Sequence, residues 1–305
     1  MDEVRVLAPA SVSNVVCGFD CLGFALAEPF DEINVRKIKE RTVRIRHLDG
    51  FGVPTDPEKN VAGVALLAMM RDAGLDFGFE VEINKGIKPG SGIGSSAASS
   101  CGAVVAANRI LEDRFSKSEL VEFAMQGEQI ASGARHADNV APCIFGGFTL
   151  VRSTEPLDIV PLEFSALCAA VIHPQIEIRT SEARALLPKQ VPLQDAIRQW
   201  SNLGAFVAAL SRGDHALLSR SMEDLIVEPV RKSLIPKFDE VKAASLAAGA
   251  IGGGISGSGP SIFMLCASPE YASKIAAEMR SVFHPTGIQF KVYSAEIGRL
   301  GVRVK

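Results

Sequence analysis

Residues 88–98 read Lys-Pro-Gly-Ser-Gly-Ile-Gly-Ser-Ser-Ala-Ala, "KPGSGIGSSAA", and run straight into "ASSCGAVVAANRILEDR". The second stretch is Ala-rich and reads as a helix over 96–114. The first is a loop in which glycine lets the backbone take positive φ and approach a ligand closely. A Gly/Ser loop that opens into a helix N-terminus presents free N–H groups and the positive end of the helix dipole, so the spacing predicts an anion site, with phosphate the leading candidate. The P-loop is excluded, because no Lys-Ser/Thr pair follows the last glycine. Gly92-x-Gly94-x-x-Ala97 matches the dinucleotide fingerprint formally. That fingerprint needs a strand and then an acid about 20 residues on, whereas Glu112 and Asp113 read as the end of the helix itself.

The wider composition is that of a globular protein. The 305 residues suggest two domains, and 47% hydrophobic against 22% charged residues allows a large core. A net charge of −3 argues against a nucleic-acid-binding surface. The start, "MDEVRVLAPA", lacks the apolar run of a secretory signal, and no window of about 18 apolar residues predicts a membrane span. Cys17, Cys21, Cys101, Cys143, Cys168 and Cys266 show no zinc spacing and read as reduced structural thiols. A cytoplasmic protein is expected.

Along the chain, "VRVLAPASVSNV", "DEINVRKI", "TVRIRHL" and "FGFEVEINKGI" read as strands, the alternating ones as antiparallel. "NVAGVALLAMMRDAG" has helical spacing and a terminal Gly, and Ser116 with Glu119, or Ser118 out of register, offers a Ser-x-x-Glu helix start. "GGFTLVRS" is a strand, and two prolines with mixed polarity over 155–161 suggest a boundary. Beyond it, "ALCAAVIHP" reads as a buried strand. "TSEARALLP", "LQDAIRQWSNLGAFVAALSRG" and "IPKFDEVKAASLAAGA" read as helices, and "IGGGISGSGPS" as a second Gly/Ser loop. A strand, a helix and a strand close the chain. Without a βαβ rhythm, α+β is favoured over a doubly wound sheet. Trp200 and the Met69–Met70 pair read as core.

Three further stretches change the reading: "APASVSNVVCGFDCLGFAL" (8–26), "QGEQIASGARHADNVAPCIFGG" (126–147) and "GGGISGSGPSIFML" (252–265). With "PGSGIGSSAA" they resemble, in order along the chain, the motif set of the GHMP kinases. "SGARHADNVAP" and "SNVVCGFDCLGFAL" resemble the homoserine kinase family within it. The family's Gly-Pro-Gly-Phe-Asp is here Val16-Cys17-Gly18-Phe19-Asp20. The proline that would stiffen that loop is lost, while Asn14, Gly18 and Asp20 remain. The resemblance implies a two-domain α+β fold. An ATP-binding N-terminal domain, like the second domain of ribosomal protein S5, would take residues 1–158, and a ferredoxin-like C-terminal domain 159–305. The site would lie between them, in a homodimer.

By the same resemblance, ATP lies along Pro89, Gly90, Ser91, Gly92, Ile93, Gly94, Ser95 and Ser96, closed by Gly257 and Ser258. Mg²⁺ is held by Ser96 and Glu128, hard oxygen donors of the kind it prefers. L-Homoserine meets Asn14, Asp20, Asp138, Thr180, Arg184 and Arg231, and Asn139 hydrogen-bonds the attacking hydroxyl. The chemistry suits these residue types: a zwitterion needs a carboxylate for its ammonium and a cation for its carboxylate, and a guanidinium grips carboxylate in a way lysine does not. Thr180 and Arg184 stand four apart, on one helical face. The family is thought to work without a catalytic base; Asp138 is the candidate if there is one.

Bland readings stand beside these. Asn14, Asp20 and Asp138-Asn139 could only cap turns, Glu128 could be a solvated helix residue, His136 could be structural, and Arg184 and Arg231 could be surface charges. The rival functions are another GHMP small-alcohol kinase, a non-catalytic GHMP-like binding protein, and a dinucleotide oxidoreductase. The last needs a strand between the loop helix and a ribose-binding acid.

Overall fold

The computed structural model describes residues 1–133, 135–178 and 180–305. Its first half runs β1 (Glu3–Ser13), β2 (Leu22–Ile38), β3 (Val43–His47), α1 (Val61–Ala73), β4 (Gly78–Asn84), α2 (Ser95–Ile110), α3 (Lys117–Ser132), α4 (Val140–Phe145), β5 (Phe148–Thr154) and β6 (Leu157–Leu162). The second runs β7 (Cys168–Pro174), α5 (Thr180–Ala185), α6 (Leu193–Arg212), α7 (His215–Ser221), α8 (Glu228–Arg231), α9 (Phe238–Ala247), β8 (Gly252–Ile255), β9 (Ile262–Cys266), α10 (Pro269–Phe283), β10 (Phe290–Glu296) and β11 (Arg303–Val304). Strands and helices mix in both halves, as an α+β chain requires.

The strands form two sheets. One has seven strands, ordered β11-β1-β2-β4-β3, with β5 and β6 joined through β2; the other has four, ordered β10-β7-β9-β8. The second sheet comes from a strand–helices–strand–strand–helix–strand sequence, the ferredoxin-like pattern. The expected division after residue 158 falls inside β6, which is hydrogen-bonded to β5. The change of sheet comes after Leu162, and β11 returns to the first sheet beside β1. So the prolines near 155–161 mark a hairpin: Pro156 sits in its turn and Pro161 on its outer strand, where a missing N–H is tolerated.

Three other expectations change. β3 pairs parallel to β4, not antiparallel, since alternation reports one buried face and not strand direction. Gly252–Ile255, read as loop, forms strand β8 before the turn. Met69 and Met70 are core, but Trp200 is 57% exposed on α6, near exposed Leu193 and Ile197.

Helix α2 organises the first half. It packs on β1 and β2, and 13 of its residues are buried. Gly102 makes the close approach possible, because a Cβ there would meet Ile33 Cδ1 at 2.4 Å. The two sheets meet through aromatic rings: Phe24 of β2 lies 5.0 Å from Phe148 of β5 and 5.6 Å from Phe263 of β9. The Phe24–Phe263 pair, which joins the two sheets, is edge-to-face, a geometry that adds to area burial. No helix among the described residues is long and apolar enough to cross a membrane.

Candidate active site

A cleft of ≈ 430 Å³ runs between the sheets, lined by the phosphate-loop candidates, the end of β1, α3 and the second glycine loop. Its floor is the start of α2. Gly94, at φ 71 and ψ 32, precedes the helix without any side-chain cap, whereas Asn60, Ser116 and Ser268 cap α1, α3 and α10. The first-turn N–H groups of α2 are thus left for a ligand. Gly92 touches the second glycine loop: a Cβ there would meet Gly259 O at 2.6 Å. Ser256 Oγ donates to Gly92 O at 2.7 Å and Ser261 Oγ to Ser91 O at 2.6 Å, tying the loops together. Ile93 alone of the loop candidates points away. It is fully buried, its carbonyl accepts from Ser11 N at 3.2 Å, and it does not line the cleft.

The other expected residues converge here. Asn14 Nδ2 donates to Gly257 O at 2.7 Å, and Asn14 Oδ1 accepts from Asp20 N at 3.0 Å. It therefore both caps its turn and lines the cleft. The turn is strained: Asn14, Val15 and Val16 sit at φ 72, 38 and 60, and Asp20 at 59. A β-branched residue in this region costs energy that the surroundings must offset, a pattern typical of functional loops. Arg184 Nη2 donates to Asp20 Oδ1 and Oδ2 at 2.8 and 3.0 Å and to His136 Nε2 at 3.1 Å. Since His136 Nε2 accepts, its proton sits on Nδ1, on the side facing Asp20. Arg231 is buried, 3% exposed, and donates to Ala183 O and Gly257 O. Both guanidinium groups flank Phe19, at 5.5 and 5.2 Å from its ring centre. Thr180 Oγ1 lies 3.3 Å from Ser258 Oγ. On α3, Glu128 Oε2 accepts from Ser96 Oγ at 2.9 Å.

The chain matches the family described as GHMP kinases N terminal domain over residues 60–147, and that described as GHMP kinases C terminal over 206–285. It is 43% identical to a homoserine kinase of Chloroherpeton thalassium, with all of both chains covered. The chain belongs to the homoserine kinase family. A member from Methanocella arvoryzae is 40% identical, covering all of this chain and 98% of its own. The crystal structure of homoserine kinase from Cytophaga hutchinsonii superposes with a TM-score of 0.96 at 47% identity, covering 100% of this chain and 98% of that one.

The electrostatics of this family member's cleft follow from burial. Burial pushes Glu128 up to about 7, against the Ser96 hydrogen bond that pulls it down. Asp138 also rises to about 7, first through burial and then through the charge of Asp20, with the Ser13 hydroxyl opposing. Arg231 is lowered by burial and by Arg184 beside it, so the pair of guanidiniums favours an arriving anion. Cys17, in the family's proline position, is buried with its thiol pushed up to about 12; Gln199 Nε2 donates to its carbonyl and steadies the loop.

Several lining residues carry no mark in the sequence. Lys85 is buried under the loop, its Nζ donating to Asp31 Oδ2 at 2.5 Å, Ser99 Oγ at 2.7 Å and Ser95 O at 3.0 Å. Phe19 could have been found as the aromatic next to Asp20. At the far end, Val53, Pro54, Val61 and Ile130 make an apolar mouth around Asn60, suited to a flat heterocycle.

Proposed function

We propose that the protein transfers the γ-phosphoryl group of ATP to the side-chain hydroxyl of L-homoserine, giving O-phospho-L-homoserine on the way to threonine. The observation that carries this reading is one carboxylate and two guanidiniums, Asp20 with Arg184 and Arg231, in the same cleft as the uncapped start of α2. Arg184 is ion-paired with Asp20. A zwitterionic amino acid exchanges that one ion pair for two, ammonium on Asp20 and carboxylate between Arg184 and Arg231, with bidentate geometry available to the guanidinium. Phe19 fixes the planes of both arginines. The phosphates lie along the glycine loop and the α2 N–H groups, and the apolar mouth near Val53 and Ile130 takes the base.

Ser96 and Glu128 are adjacent hard oxygen donors at the phosphate end, a set that fits Mg²⁺ completed by phosphate oxygens and water. When bound, the metal would offset charge on the phosphates. The chain's own part is positioning and electrostatic stabilisation, which dominate phosphoryl transfer; its loose transition state needs no early loss of the hydroxyl proton. A cytoplasmic homodimer belongs to the same reading.

The test is purified protein with MgATP and a panel of L-homoserine, L-threonine, L-serine, mevalonate and galactose. ADP release that depends on homoserine, with product mass raised by one phosphoryl group, is the expected result. Turnover of another alcohol instead would remove the assignment of Asp20 and Arg184. Nucleotide binding without turnover of any acceptor would point to a binding protein.

A further inference from the structure

Asn139 stands in the cleft with both ends of its amide already held. Ser11 Oγ donates to Asn139 Oδ1 at 2.8 Å, and Asn139 Nδ2 donates to Ser13 Oγ at 2.9 Å. Both serines come from β1, two apart and so on one face of the strand, and both are buried, at 0% and 1% exposure. A serine that receives the amide N–H turns its own proton elsewhere, and the Ser13 hydroxyl lies close enough to the Asp138 carboxyl to pull its pKa down. The donations run from Ser11 to Asn139 and from Asn139 to Ser13. An amide can be placed either way round in a pocket of given shape, and only its partners decide. The two β1 hydroxyls hold it here with Oδ1 toward Ser11 and Nδ2 toward Ser13. One Nδ2–H remains uncommitted, and it is what the amide offers the cleft. β1 also holds the second glycine loop, through Gly257 N to Ser13 O at 3.3 Å.

We propose that Ser11 and Ser13 are positioning residues for the phosphoryl transfer: they fix the Asn139 amide with Oδ1 toward Ser11 and Nδ2 toward Ser13, so that an N–H faces the acceptor hydroxyl. The role rests on the kinase reading above. A hydroxyl that accepts this N–H keeps its own proton free to point at the phosphate, which orients a lone pair for in-line attack. Neither serine need touch substrate. A flipped amide would present its carbonyl oxygen instead and turn the hydroxyl proton away from the phosphate.

The experiment pairs kinetics with a readout independent of turnover. S11A and S13A each lower kcat about 10-fold while KM for ATP and homoserine stays within about 2-fold, since one neutral hydrogen bond is lost from an oriented group. S11T, which keeps the donor, restores most of kcat. In an N139A background neither serine substitution lowers kcat further, because each acts through Asn139. A merely structural role predicts equal losses in both backgrounds, and that result overturns the proposal. In ¹⁵N-labelled wild-type protein the two Asn139 side-chain amide protons give distinct, slowly exchanging signals, which merge or exchange faster in S13A. Unchanged signals overturn the proposal even if the protein fails to phosphorylate homoserine, a failure that counts against the kinase reading alone. Either serine suffices for the comparison, so a variant that does not fold leaves the other to decide.

Discussion

Gly90 and Gly94 share a backbone conformation, φ 71 at each, but not a neighbourhood. A Cβ at Gly90 would meet nothing within 4 Å, whereas one at Gly94 would meet Ser11 Oγ at 2.1 Å and Asn139 Oδ1 at 3.2 Å. Gly90→Ala therefore carries only the left-handed cost of a residue with a Cβ, about 1–2 kcal/mol. Gly94→Ala carries the same cost and also displaces Ser11. Ser11 is fully buried and cannot swing to solvent, so its hydrogen bond to Asn139 breaks, at about 1 kcal/mol. Relief of the remaining overlap adds about 1–3 kcal/mol. The sum is about 3–6 kcal/mol, and for a chain of this length each kcal/mol lowers the melting temperature by roughly 1–2 °C. Differential scanning calorimetry should give a drop of about 2 °C for Gly90→Ala and about 5–10 °C for Gly94→Ala. Turnover should fall little in the first and about 10- to 100-fold in the second, as Asn139 loses its orientation. Equal melting temperatures and equal rates in the two variants would refute the claim that close approach, not backbone freedom alone, selects glycine at 94.

On the proposed reading Arg184→Met removes a charged partner of the substrate carboxylate, so kcat/KM for homoserine should fall about 10- to 100-fold with KM for ATP unchanged in steady-state assays. If Glu128 holds the metal as proposed, Glu128→Gln removes that ligand, and titration with Mn²⁺ followed by water-proton relaxation should show weaker binding of the metal–nucleotide complex, by about 10-fold or more. Asp138 is held up to about 7 from an ordinary 3.8 by burial, so the fold favours its neutral form. That contribution to stability is full below the unfolded pKa and lost as pH rises through about 7. The ligand-free protein should then melt lower at pH 8 than at pH 5.5 by more than Asp138→Asn does, and identical pH slopes would exclude it. Lys85→Met leaves Asp31 buried without its partner and should cost about 3–5 kcal/mol in urea unfolding, of which Asp31→Asn in the same chain recovers a large part.

What the sequence made legible were features written in local chemistry. Ser116 and Glu119 do form a reciprocal capping box, and Gly74 ends α1 in the left-handed conformation, because both depend on residues within one turn. β7 is buried along its whole length as its unbroken apolar run requires. The end of α2 was not legible. Leu-Glu-Asp-Arg continues a helical composition, yet Asn108 takes both the N–H and the carbonyl of Phe115, and Glu112 and Asp113 turn at φ 58. A side chain reaching seven residues ahead beats the propensity of the residues it bypasses. No strand intervenes between that turn and α3, which leaves a ribose-binding acid no place and removes the dinucleotide alternative on topology.

The site divides along the same line. Its glycine loops could be named from local chemistry, and its carboxylates and arginines through the motifs that resemble the family. The residues that hold them could not, because Ser11, Ser13, Asp31 and Lys85 look like ordinary strand positions. Alternation assigns each to a face but does not say what covers that face. Only once α2 is laid across β1 and β2 does Lys85, at the end of β4, become a cation sealed beneath the phosphate loop, bonded to the carbonyl of Ser95 and the hydroxyl of Ser99 in the first turn of α2. With that turn anchored from below by a buried charge, its N–H groups stay fixed toward the cleft whether or not a phosphate is present. The supporting layer is thus the part of the site that tertiary packing creates. It is also the part whose removal should loosen the geometry while leaving every residue that touches substrate in the chain.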